Sequence, residues 1–181
     1  MRITDKFIFF YKENLSQWNM SANKDPKTGL TFNCNEQYMM WHKAMLFEDQ
    51  ESADKIMKEA HPRDQQARGR EVKNYKQELW DRWKFEIVFN ATWLKFTQHP
   101  ALLKQLLEYP RDRVFVEASP VDKVWGIKMG ENDPGVDDPA NWKGENLLGL
   151  AITDTLNGII QALNFEDNSY HNTIGDSYIK K

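Results

Sequence analysis

The sequence predicts one mainly helical domain with a few short strands, and three observations carry that reading. Phe7-Ile8-Phe9-Phe10-Tyr11 is an unbroken apolar and aromatic run of the kind that forms a buried strand. Leu79, Trp80, Trp83, Ile87, Ala91 and Leu94 recur at three and four residues, as an amphipathic helix requires. Val114-Phe115-Val116 is a second β-forming run. It stops at an acid, Glu117, before a turn at Ser119-Pro120, where proline has no amide hydrogen to continue a ladder.

A chain of 181 residues is long enough to bury a full core, and one domain over residues 1–163 followed by a polar tail over 164–181 is expected. Asp and Glu total 27 against 24 Lys and Arg, so no general basic face is available to grip a nucleic-acid duplex. A local basic pocket for one phosphate remains open. Cys34 stands alone, which rules out an intrachain disulfide and suits a reducing, cytoplasmic setting. No signal-peptide pattern and no run near the ~18 apolar residues of a membrane span is present. Seven Trp residues suit either a core or a pocket that stacks planar ligands.

After the first strand, Lys12 to Gly29 is polar and rich in turn residues, and Leu30-Thr31-Phe32 reads as a short returning strand. Asn33 with Glu36 three residues on has the form of a capping box, so a helix is expected from there. Apolar residues from Tyr38 to Phe47 cover nearly every side of it, the pattern of a buried helix. Glu36 and Lys43, seven residues apart, share a face. Each has two readings. Glu36 is a capping acid or an acid facing a wet cleft, and Lys43 snorkels to solvent or faces that same cleft.

Asp49 reads as the cap of a second helix that His61-Pro62 ends. A brief helix then stops at Gly69, where Arg68 and Arg70 either complement a helix C-terminus or contact phosphate, with Arg70 preferred. The long helix spans Asn74 to Thr97, and its aromatic stripe is core unless Trp80 or Trp83, near its start, lines a cleft. Ala101 to Glu108 forms a short helix. Val114 to Lys128 reads as two strands around a turn, with Glu117, Asp122, Trp125 and Gly126 gathered between them. That is either a hairpin with a capping Asp and a core Trp, or an assembly of reactive carboxylates. Gly130 to Lys143 is a surface loop lacking the acid pattern of a calcium site. Gly144 to Gly149 opens the last helix, where Asn146 either caps it or points into a cleft. From Asn164 onward an irregular tail is expected.

Several chemistries lack their motifs. The glycines are scattered, so no Walker or Rossmann phosphate loop is present, and no Gly-x-Ser-x-Gly elbow occurs. Four His and one Cys show no zinc spacing. Carboxylates, a lysine and tryptophans remain, a set suited to charge stabilisation and stacking with no metal and no cofactor.

Leu15-Ser16-Gln17-Trp18, Asn35-Glu36-Gln37-Tyr38-Met39 with Lys43-Ala44, Gly69-Arg70, and Trp80 followed by Lys95-Phe96 occur in order along the chain. Val116-Glu117-Ala118-Ser119-Pro120-x-Asp122-x-x-Trp125-Gly126 and Gly144-x-Asn146-x-Leu148-Gly149 complete the series. Together they resemble the NADAR family, which is related to the riboflavin-biosynthesis-intermediate N-glycosidases. The match covers roughly residues 7 to 156. One departure is that Thr153-Asp154-Thr155-Leu156 stands where the family often carries Met-x-Val-Arg.

The resemblance implies a compact α+β domain, mainly helical with a few short strands, that cleaves N-glycosidic bonds to ribose without a metal or redox cofactor. It implies as substrate either ADP-ribosylated guanine, in a nucleotide or a nucleic acid, or a ribosylaminopyrimidine phosphate. No membrane association and no obligate protein partner is implied. Breaking a C1′–N bond builds positive charge on the ribose, as in glycoside hydrolysis, so carboxylates are needed. Glu36 and Asp122 are the candidates, with Lys43 holding an acid ionised or binding phosphate. Trp80 and Trp125 stack the base or wall the sugar, Arg70 takes phosphate, and Asn146, Ser16 and Trp18 complete the substrate contacts. The competing reading is a non-catalytic module that binds ADP-ribose or a nucleotide.

Overall fold

The computed structural model describes residues 1–177, with side chains described as far as Asn164. Among the described residues, six α-helices and five short strands form the expected mainly helical α+β domain. β1 (Arg2–Ile3), β2 (Phe7–Phe10) and β5 (Val114–Glu117) make one sheet, with β2 in the middle. β1 pairs antiparallel with β2, and β2 pairs parallel with β5 from Phe7 opposite Val114 to Phe10 opposite Glu117. β3 (Met20–Lys24) and β4 (Thr31–Cys34) form a separate antiparallel pair.

Every residue of β2 is buried, which explains its unbroken apolar run. Ile8 and Phe10 face the main core with Phe115, while Phe7 and Phe9 face a smaller core with Val116, Ile127, Met129 and Val136. The alternation along the strand thus feeds two apolar layers. The main core is closed by α1 (Asn35–Leu46), α4 (Gln77–Gln98) and α6 (Leu147–Ser177). α2 (Gln50–Lys58) and α3 (Pro62–Arg70) pack on α1, and α5 (Pro100–Leu107) starts at a proline that needs no amide partner. Gly69 lets α3 lie close against α1, because a Cβ there would stand 1.9 Å from Met40 Sδ. Asp49 caps α2 as expected, its carboxylate accepting from Ser52 N at 3.1 Å.

Five expectations need correction. The helix expected from Asn33 starts at Asn35, because Asn33 and Cys34 belong to β4. Gln37, not Glu36, reaches back and accepts from Asn33 N at 2.8 Å, so Glu36 is free of capping duty. Within the polar stretch read as turns, β3 forms through its pairing with β4. Val124 to Ile127 is no strand: Leu147 N and Leu148 N, at the start of α6, donate to Val124 O and Trp125 O at 3.1 Å each. Finally, α6 continues as helix to Ser177, where an irregular tail was expected from Asn164. Residues 178–181 of that tail lie outside the described residues.

Candidate active site

A cleft of about 740 Å³ opens between the turn after β2, the first turn of α1, the end of α3 and the loop after β5. Its α1 wall is built on the turn at residues 13–19. Ser16 N donates to Glu13 O at 2.9 Å, Asn19 N to Ser16 O at 3.2 Å, and Trp18 N to Ser16 Oγ at 3.1 Å. Glu36 N then donates to Gln17 O at 3.1 Å, which ties the turn to the helix N-terminus. Trp18 Nε1 donates to Glu36 Oε2 at 3.2 Å. The Glu36 side chain is only 2% exposed, and its other oxygen, Oε1, is buried without a partner.

Burial pushes the Glu36 carboxyl up to about 7 and the Asp122 charge pushes the same way, against the hydrogen bond of Trp18, the nearby Gln66 amide and the charge of Arg70. Neutral pH therefore finds this acid poised between its two forms.

The opposite wall is the loop after β5. Asp122 Oδ1 accepts from Val124 N and Trp125 N, each at 2.8 Å, and Asp122 N donates to Ser119 Oγ at 3.2 Å. This local set of bonds fixes Asp122 and swings Trp125 into the cleft lining. Gly144 lets the start of the α6 segment press on the loop, since a Cβ there would meet Gly126 O at 2.2 Å. Glu117, the last residue of β5, also lines the cleft, with Oε2 buried and unpartnered. Burial raises its carboxyl to about 8, and the charges of Asp122 and Glu36 add to the shift.

The third side is α3. Arg70 donates to Gln66 Oε1 at 2.9 Å, and both residues line the cleft. Arg68 is committed elsewhere, to Glu59 at 2.9 Å and Glu71 at 3.3 Å.

Of the residues singled out from sequence, the structure brings Glu36, Asp122, Trp125, Arg70, Ser16 and Trp18 to one cleft. Lys43, Trp80 and Asn146 are outside its lining, each for a physical reason. Lys43 Nζ donates to Gly69 O at 2.8 Å and sits over the rings of Tyr75 at 4.8 Å and Trp80 at 5.6 Å. It braces the end of α3 from behind, and burial lowers its pKa, with Arg70 adding to the effect and Glu36 opposing it. Trp80 is buried in the main core. Asn146, in a left-handed conformation (φ 56°), accepts from Glu117 N at 2.9 Å and donates to Phe115 O at 3.0 Å. Its amide serves β5 as a substitute strand neighbour.

Of the lining residues outside the sequence-derived set, two stand beside the acids, Glu117 and Gln66. Glu117 carries a sequence signal, an acid ending an apolar strand. Gln66 carried none, being one amide on a polar helix. Among the described residues, no three His, Cys, Asp or Glu side chains stand close enough to share a metal ion. No described helix is long and apolar enough to cross a membrane. An acid near its titration point, a second acid largely protonated at neutrality, a backbone-anchored carboxylate, an indole and a cation thus face one space. That set can stabilise positive charge, move a proton and seat a phosphate.

The NADAR domain profile matches residues 9–159. The chain is 41% identical over 161 residues to N-glycosidase R617 of Acanthamoeba polyphaga mimivirus, spanning 82% of this chain and 94% of that protein. It is 33% identical over 141 residues to protein irg-1 of Caenorhabditis elegans, spanning 77% of this chain and 66% of that one. The solution NMR structure of the Escherichia coli protein YbiA shares the fold, with a TM-score of 0.69 and 24% identity over 90% of each chain.

Proposed function

This chain belongs to the NADAR family, and on that premise we propose that it is an N-glycosidase hydrolysing the bond between a ribose C1′ and a base nitrogen. The observation that carries the reading is the trio Glu36, Glu117 and Asp122 on one cleft, with two of the acids held near neutrality by burial. As the C1′–N bond breaks, its electrons pass to the base and the ribose takes on positive charge. Asp122, held by two backbone amides, faces that charge as a carboxylate. Glu36 takes a proton from the attacking water, whose oxygen bonds to C1′. Glu117, raised to about 8, gives its proton to the leaving nitrogen, and solvent exchange resets both acids.

A cleft of about 740 Å³ has room for a nucleotide. Trp125 stacks on the base or closes over the sugar, and Arg70 takes a phosphate. The substrate class proposed is ADP-ribosylated guanine or a ribosylaminopyrimidine phosphate, which rests on the family resemblance and agrees with the cations Lys12, Arg70 and Lys123 lining the cleft beside the acids.

A chromatographic assay decides it, run on ribosylaminopyrimidine phosphate, ADP-ribosylated guanine nucleotides and short ADP-ribosylated DNA. Release of free base by the native protein, lost in Glu36→Gln, is the expected result. Heat of binding on titration with no base released would instead support a reader of the same ligands. Neither binding nor release on any of the three would remove this substrate class.

A further inference from the structure

Lys95 is among the most deeply buried charged side chains described, 1% exposed in the middle of the fold, and no carboxylate pairs with it. Its Nζ donates to the carbonyls of Asn14 and Ser16, the latter at 3.0 Å. Burying a lysine is expensive, and burial lowers the Lys95 amine to about 7; charged or neutral it still donates, and a fold retains such a group where its donors satisfy buried carbonyls. Those two carbonyls lie in the turn that supplies Ser16, Gln17, Trp18 and Asn19 to the cleft. Trp18 in turn donates its indole hydrogen to Glu36.

We propose that Lys95 is a positioning residue for the cleft: from the protein interior it holds the 14–18 turn so that the Trp18 indole meets the Glu36 carboxylate. The ammonium does not line the cleft and touches no substrate. It acts through two backbone carbonyls on α4's near side and one side-chain hydrogen bond beyond them. The groups that act on the Glu36 carboxyl are Trp18, Gln66, Arg70 and Asp122, with Glu117 coupled to it from β5 and Lys43 from behind. Of these, Trp18 is the one whose place depends on the 14–18 turn. Releasing the turn therefore removes a bond that favours ionised Glu36 and loosens the Gln17 carbonyl that accepts from Glu36 N, while Gln66, Arg70 and Asp122 keep their places on their own elements.

The assignment makes Lys95 specific in a way that a merely structural core residue is not. Its loss should reproduce the loss of the Trp18 indole donor, and the two losses should not add, because they break one chain of contacts. The kinetic half of this expectation rests on the N-glycosidase reading, whereas the spectroscopic half does not.

The test uses the full chain, labelled with ¹⁵N, and follows the indole N–H resonance of Trp18, identified by its absence in Trp18→Phe. In the native protein this resonance should titrate near pH 7 with Glu36, and Glu36→Gln should remove that component, leaving only what the Lys95 amine, also lowered to about 7, contributes through the turn. Lys95→Met should move it toward the position of a free indole and flatten the titration. Where Lys95→Met does not fold, Lys95→Gln, which keeps two donors on a shorter arm, should give part of the same displacement. Under turnover, Lys95→Met should lose roughly tenfold to a hundredfold in kcat, the cost of an ångström-scale misplacement. Its pH–rate profile should show the acid limb moved upward. The double variant Lys95→Met/Trp18→Phe should lose no more than the worse single one. A folded Lys95→Met or Lys95→Gln protein with the Trp18 resonance and its titration unchanged would overturn the assignment. So would failure of both variants to fold, which would make Lys95 a general core residue. Should no substrate turn over, the resonance still decides the matter for Lys95, while the function reading fails separately.

Discussion

On one wall of the cleft, Asp122 is held by the amides of residues two and three positions further along its own loop. On the other, Glu36 is held by an indole from eighteen residues earlier, seated on a turn that Lys95 ties down across sequence separations of 81 and 79 residues. The first arrangement is local and made of backbone, while the second is a relay of side chains drawn from three parts of the chain. The loop wall therefore fixes a carboxylate in place, and the α1 wall tunes one. Asp122 stays partly open to solvent, while Glu36 is shut away with one oxygen unpartnered and its pKa lifted to about 7. Burial makes the difference.

The sharpest way to break this contrast is to remove each acid's charge while keeping its shape. Glu36→Gln should lower kcat by about 10²–10⁴, the usual worth of a positioned general base, as read by steady-state release of free base. Asp122→Asn should cost at least about a hundredfold in the same assay yet keep its melting temperature, because the amide oxygen still accepts from Val124 N and Trp125 N. Asp122→Ala should lose the melting temperature as well. It strands two amides at about 1–3 kcal/mol, which thermal unfolding should report as roughly 2–4 °C per kcal/mol.

A smaller effect tests the tuning. The pH–rate profile should be a bell, rising through about 7 as Glu36 ionises and falling through about 8 as Glu117 loses its proton. Trp18→Phe should shift its acid limb upward, because the indole bond favours the ionised form of Glu36. A profile flat from pH 6 to 9 would remove both acids from the chemistry.

The smallest effect concerns stability. Both carboxyls rise from their ordinary value of 4.5, so between 4.5 and about 8 the folded chain binds more protons than the unfolded chain. The stability this contributes is whole below 4.5 and is lost as pH rises through about 7 and then about 8. Glu36→Gln and Glu117→Gln should therefore melt a few degrees higher than the native protein at pH 9 and close to it at pH 4, a gain that accompanies lost activity.

The same contrast explains what could be read in advance. Asp122 and the amides that hold it lie within one short window, so its gathering with Glu117 and Trp125 was visible in the sequence. Glu36 and Lys43 do share a helical face, but periodicity cannot show that the lysine turns away to the Gly69 carbonyl. Trp80 and Trp83 could not be ranked as core or cleft, because that depends on what packs against α4; Trp80 is in the core. β3 was hidden because Met-Ser-Ala-Asn-Lys has little strand propensity and owes its form to β4. Val124 to Ile127 misled in the opposite sense, since α6 had already taken the carbonyls a ladder would need. Gln66 left no mark at all. What lies within a few residues was legible, and what depends on distant partners was not.

The parallel pairing of β2 with β5 has a consequence for the birth of the molecule. β2 is translated well ahead of its parallel partner, which is not made until Val114–Glu117. At ordinary synthesis rates that interval is roughly 5–20 s, long beside the microseconds in which helices form. Throughout it an all-apolar strand, Phe7-Ile8-Phe9-Phe10, is covered only by the two residues of β1 and by whatever the emerging helices can offer. During that interval the nascent chain carries an apolar strand without its parallel neighbour, a segment prone to non-native pairing. A ribosome stalled before β5 would leave a fragment that has α1 and Glu36 but neither a closed sheet nor the loop that completes the cleft.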